Sequence, residues 1–93
     1  MYLRDLIKIG GISGPAATIG DDIGYTNSVI SKIEKGPRNN LIIYLIREDN
    51  SLLGKVLIRQ INNREDVLEK VLSSKKLIGK TLNDLRDCGV EDI

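Results

Sequence analysis

Between Thr26 and Arg38 the chain gathers the side chains best suited to contacting another molecule. Thr26, Asn27, Ser28 and Ser31 are short hydrogen-bonding groups, and Lys32, Lys35 and Arg38 are cations. On one face of a helix over 26–35, the first four would suit base edges and the cations would suit phosphates. Other chemistries are closed by missing residues. With no histidine and one cysteine, Cys88, the chain has no Cys/His zinc set, no Ser-His-Asp triad and no Cys-His pair. Carboxylates and lysines remain, but no pair among them stands out. The expectation is a chain with no catalytic residues, no cofactor and no metal.

The elements that must position this face are read from apolar spacing. Pro15 sits well at the first turn of a helix over 15–23, with Ser13 as a cap and Gly24 as its close. Thr26 caps a second helix, which Gly36 and Pro37 end. Ile19 precedes Gly20, Ile23 precedes Gly24, and Ile30 and Ile33 stand one helical turn apart. Those are the steric demands of two helices locked across a tight turn.

At this point "GYTNSVISKIEKGPRN" resembles the lambda-repressor/Cro-like helix-turn-helix family over about residues 15–39. The resemblance implies a recognition helix in the major groove of double-stranded DNA. Thr26, Asn27, Ser28 and Ser31 would meet bases, with Lys32, Lys35 and Arg38 near phosphates. It departs from the family in two places. Gly20, Asp21 and Asp22 make a poor first helix, and "NNLIIYLIRED" reads as a strand where another helix belongs. A hairpin after the recognition helix suits a winged-helix-like arrangement, although "LIIYLI" is too apolar for an exposed wing.

Elsewhere the pattern is mixed. "YLRDLIKI" fits a short first helix through Tyr2, Leu3, Leu6 and Ile7, and "LIKIG" alternatively fits a strand. "LIIYLI", the turn "REDNS" and "GKVLIRQI" give a hairpin over 41–61, although Leu53, Val56, Leu57 and Ile61 also fit a helix. Val67, Leu68, Val71 and Leu72 mark a helix, continued after a break at Ser73-Ser74 through Ile78, Thr81, Leu82 and Leu85. The expected fold is α+β in one small domain, 1–93. It has a helix-turn-helix-like N-terminal unit (1–37), a β-hairpin (41–61) and C-terminal helices (64–88).

Two further likenesses are local. "IKIGGISGPAA" is similar to the phosphate-binding turn of flavin and nicotinamide enzymes, with Gly11 and Gly14 at the last two glycine positions and Glu34 as the ribose acid. The first glycine position holds Ile9, and a glycine-rich joint between two elements is the better reading. "KKLIGKTLNDLRDCGVEDI" resembles part of the ligand-binding domain of potassium-uptake regulators over about fifteen residues. An amphipathic helix accounts for it more simply.

Composition argues against a strong polyanion binder, because the net charge is only +1. Basic residues concentrate in 51–86, and the last residues are acidic through Asp87, Glu91 and Asp92. No apolar run is long enough to span a membrane, and no leader stands out, so a cytoplasmic chain is expected. A mostly aliphatic apolar content, led by 14 isoleucines and 12 leucines, gives 93 residues a modest core, which favours a homodimer. Two functions follow as expectations: a small DNA-binding transcriptional regulator, or a non-catalytic α+β protein-interaction or assembly module.

Overall fold

The computed structural model describes residues 1–13, 27–60 and 64–93. Four strands form one antiparallel sheet: β1 (Ile7–Ser13), β2 (Val29–Lys35), β3 (Leu41–Ile46) and β4 (Leu52–Gln60), in the order β1-β4-β3-β2. Two helices follow, α1 (Glu65–Ser73) and α2 (Leu82–Asp87). Short 3-10 turns occupy Leu3–Asp5, Pro37–Asn39 and Val90–Asp92.

β3 is the centre of the sheet's logic. Its burial alternates strictly, with Leu41, Ile43 and Leu45 buried and Ile42, Tyr44 and Ile46 half-buried. Period-2 burial is what a strand with one covered face produces. Ile30, Val56 and Ile58 join the buried side. Against it lie Val67, Leu68 and Val71 of α1 and Leu82 and Leu85 of α2, in one cluster that also takes in Leu3, Leu6, Ile7 and Leu77. Each fully buried aliphatic side chain contributes roughly 1.5–3 kcal/mol relative to exposure. The two described helices therefore pack on the same face of the sheet.

The expected helix-turn-helix is not present. Residues 29–35 are strand β2, where a recognition helix over 26–35 was the reading. The proposed first helix, 15–23, lies outside the described residues. The physical reason is a β-bulge. Ile30 opposes Leu45 and Ile33 opposes Ile43, so three residues of β2 span two of β3. One extra residue lets an i, i+3 apolar pair share a strand face, which imitates helical spacing in the sequence. The hairpin turn that joins β2 to β3 supplies the rest. The Gly36 N–H donates to the Asn40 carbonyl at 2.7 Å, and Arg38 sits at φ 57°. Once "LIIYLI" must be paired on both sides, the β-branched Val29, Ile30 and Ile33 are its nearest partners in sequence.

The same device appears in β1. A short N-terminal helix was one reading of "YLRDLIKI", and the strand was the other. Only Leu3–Asp5 forms a 3-10 turn before the strand begins. Ile9 opposes Ile58 and Ile12 opposes Val56, which places Gly10 and Gly11 in a second bulge. These glycines thus belong to an antiparallel edge strand, not to a strand-turn-helix nucleotide loop, whose sheet would be parallel. Gly14 lies outside the described residues.

The hairpin over 41–61 is present as β3 and β4, closed by a turn with Asn50 at φ 67°. In that turn the Ser51 N–H donates to Asp49 Oδ1 at 2.9 Å. Glu65 and Asp66 open α1, where acidic groups meet the positive end of the helix dipole. Arg64 holds Asp66 by two bonds of 2.9 and 2.8 Å. α2 has only six residues and depends on its start. The Asp84 N–H donates to Thr81 Oγ1 at 3.1 Å, and the Thr81 N–H donates to Asp84 Oδ2 at 2.9 Å. This reciprocal cap also fixes the segment before it. The Ile30 N–H donates to the Lys80 carbonyl at 2.7 Å, and the Gly79 N–H donates to the Ile30 carbonyl at 2.9 Å. The outer edge of β2 is thereby closed at Ile30, while the bulges blunt both edge strands.

Candidate functional site

Of the residues expected to read DNA, the register sets Lys32 and Lys35 on opposite faces of the sheet. Thr26 lies outside the described residues. Asn27 is exposed in a turn, where its Oδ1 accepts from Asn83 Nδ2 at 2.9 Å. Ser28 is half-buried in the bend before β2. Ser31, exposed near the bulge, donates to the Tyr44 carbonyl at 3.3 Å. Lys32 opposes Tyr44, and its ammonium pairs with Glu34 at 2.5 Å. Lys35 opposes Leu41, on the helix side of the sheet by register, and Arg38 is exposed in the hairpin turn. Lys32 and Lys35 therefore face opposite ways, as residues three apart do in a strand without an intervening bulge.

What the strands do assemble is the face opposite the two described helices. Its side chains fall into cross-strand rows read directly from the register. Val29, Ile46 and Leu52 form an aliphatic row, with Val29 38% and Leu52 41% exposed. Lys32, Tyr44 and Lys55 form the next. Glu34, Ile42 and Leu57 form the third, with Arg59 exposed beyond it on β4. Successive rows lie one pleat repeat apart, about 7 Å. Every one of these side chains is half-buried or exposed, while their neighbours one residue along β3 are fully buried.

The central row is organised around one aromatic ring. The Lys32 and Lys55 ammonium groups stand 5.6 and 5.1 Å from the Tyr44 ring centroid. The Tyr44 hydroxyl donates to Glu34 Oε2 at 2.7 Å. Hydrogen bonds from Lys32 and then Tyr44 hold the Glu34 carboxyl below its ordinary range. The same bond to Glu34, with desolvation second, raises the Tyr44 hydroxyl, and the bond to Glu34 raises Lys32. Glu34 thus stays ionised and satisfied, and Tyr44 stays a neutral donor. Lys55 makes no ion pair among the described residues, and its charge adds a smaller downward pull on Glu34. The ring, with lysines against it and its hydroxyl engaged, is poorly placed to stack on a base.

Sequence reading missed Tyr44, Lys55, Leu57 and the row of Val29, Ile46 and Leu52. Their only signal is the alternation in β3, which says that one face differs from the other and not which face is covered. Among the described residues, no cluster of three or more Cys, Asp or Glu could hold a metal ion. Burial, the largest influence, pushes the Cys88 thiol up, away from a reactive thiolate. No helix among the described residues is long and apolar enough to cross a membrane. Comparison with protein-family models, with curated proteins and with solved structures gives no match to this chain.

Proposed function

We propose that this chain is a non-catalytic interaction module whose sheet face opposite the helices docks an acidic, aliphatic segment of a partner protein. The observation that carries the reading is the pairing of adjacent rows. An exposed aliphatic row, Val29–Ile46–Leu52, lies beside a row with two lysines around Tyr44. A complementary segment presents aliphatic side chains to the first row and a carboxylate about 7 Å away, toward Lys55. Across the three rows and Arg59, three cations stand against one carboxylate, and that carboxylate is already paired with Lys32. A second copy fits this face less well, because stacking the central rows in register sets lysine against lysine. Reading DNA by inserting a helix over 26–35 has lost its element, since 29–35 is a strand.

Selection of displayed random peptides on the purified chain tests the proposal. The expected consensus is aliphatic with Asp or Glu, and Leu52→Lys abolishes its binding. Lys55→Glu combined with Arg59→Glu shifts the selected charge from acidic to basic. Enrichment without an acidic-aliphatic consensus, or binding indifferent to both changes, overturns the reading. So does a dimer in sedimentation that Leu52→Lys dissociates, which would make a second copy the occupant. Tight binding to duplex DNA that weakens steeply with salt would restore the nucleic-acid alternative.

A further inference from the structure

A second feature lies away from the three rows. Where the Leu3–Asp5 turn, the start of β1 and the end of α2 meet, a cleft of about 270 Å³ is lined by Arg4, Ile7, Lys8 and Arg86. Among the described residues its lining is three cations and one isoleucine, with no carboxylate. They come from three elements and from opposite ends of the chain, so no local sequence pattern brings them together. The tie between those ends is the backbone, with the Leu3 N–H donating to the Cys88 carbonyl at 2.8 Å.

Arg4 is held in place from outside the cleft. Its Nη1 donates to Asp87 Oδ1 at 3.0 Å, and its guanidinium lies 4.7 Å from the Tyr2 ring centroid. A guanidinium carries five N–H donors, so one bond to Asp87 leaves most of them free. Lys8 and Arg86 have no hydrogen-bond or ion-pair partner among the described residues. Asp87 offsets Arg4 in part, and among the described residues nothing pairs with the charges of Lys8 and Arg86 beside it, so gathering them around one small space opposes folding. An anion placed among them would offset them. Two arginines favour an anion that accepts forked hydrogen bonds over a simple halide.

We infer that this cleft binds the phosphate group of a small phosphorylated ligand. The cleft holds a phosphate and a short attached group, with Ile7 offering an apolar wall to the latter. Arg4 is the pre-positioned donor, and Lys8 and Arg86 close on the remaining oxygens. The site shares no residue with the three rows, although its Lys8 opposes Arg59 across β1 and β4. Arg4 and Arg86 belong to the cleft alone, so Arg86→Gln tests it without touching the docking face.

The test is a titration of the full chain at low ionic strength, followed by amide and arginine side-chain resonances. Inorganic phosphate, pyrophosphate and glycerol phosphate are the probes, with chloride and acetate as comparison ions. Phosphate is expected to bind with a dissociation constant on the order of 1 mM or tighter, perturbing Arg4, Lys8 and Arg86. Glycerol phosphate should bind at least as well. Lys8→Gln and Arg86→Gln should each weaken binding about five- to tenfold while leaving the fold intact, because both side chains are exposed. Arg86→Lys should recover part of the loss. Three results overturn the inference: phosphate no better than chloride, perturbations elsewhere on the chain, or unchanged affinity in Lys8→Gln and Arg86→Gln. Binding to vesicles containing phosphatidic acid, with none to the free phosphates, would overturn the small-ligand assignment in favour of a lipid headgroup.

Discussion

Ile42 and Ile43 are neighbours in β3 with the same side chain and opposite surroundings, so truncating each in turn measures how one-sided the sheet is. Ile43 is fully buried, opposing Ile33 on one side and Val56 on the other. Ile43→Ala removes three carbons, a transfer loss of about 2.4 kcal/mol at roughly 0.8 kcal/mol each. The cavity left among close-packed neighbours raises this to about 3–4 kcal/mol. Ile42 opposes Glu34 and Leu57 on the face opposite the helices and is half-buried. Its truncation leaves no enclosed cavity, and the partial burial sets the cost near 1 kcal/mol. A chain of this size is expected to hold about 5–14 kcal/mol in total. Urea unfolding followed by circular dichroism reads the difference. Ile43→Ala should lower the midpoint by roughly 1–3 M with the slope unchanged, and Ile42→Ala by about a third of that. Equal losses at the two positions would mean that both faces are covered, and the docking surface would disappear with the asymmetry.

Three further outcomes follow from the local structure. Thr81→Ala removes half of the reciprocal cap on a six-residue helix and should cost about 1 kcal/mol, read as a fall in Tm of about 4–8 °C, with Thr81→Ser retaining most of it. Gly79→Ala should destabilise by about 1–2 kcal/mol through backbone conformation alone, since Gly79 has φ 89° and a Cβ there meets open space. The Arg64 hydrogen bond lowers the Asp66 carboxyl from 3.8 to about 2. Because its folded value is depressed, the stability it contributes is present above pH 3.8 and is lost as pH falls through about 2. The exposed pair contributes little, and Asp66→Asn should be slightly less stable than the parent at pH 7 and indistinguishable from it at the acid end, as urea midpoints across pH will show.

Half of this architecture was legible in the sequence. "LIIYLI" carries enough β-branched side chains to declare a strand, and Asp49-Asn50-Ser51 declares the turn after it. α1 shows its period directly, because Val67, Leu68 and Val71 sit on one helical face and are buried there. The first third was misread for a definable reason. A single extra residue between Ile30 and Ile33 makes a bulged strand look helical, and the Gly10-Gly11 bulge likewise gives β1 the look of a nucleotide turn. Serine, asparagine and lysine on such a segment then seem to line a recognition helix. The interaction surface was hidden for another reason. Its rows join residues of β2, β3 and β4 that become neighbours only once register is set, and Leu52 joins Val29 only because Leu53 is the extra residue in β4.

Amide chemical shifts recorded while a strand-length peptide of alternating glutamate and leucine is titrated into the chain test the docking surface most directly. The shifts should concentrate on Val29, Tyr44, Ile46, Leu52, Lys55 and Leu57, leave Leu68 and Leu85 of the helical layer unmoved, and vanish in Lys55→Glu with Leu52→Lys. Shifts confined to the helical layer, or an equal response to the same peptide built from lysine and leucine, would contradict the account.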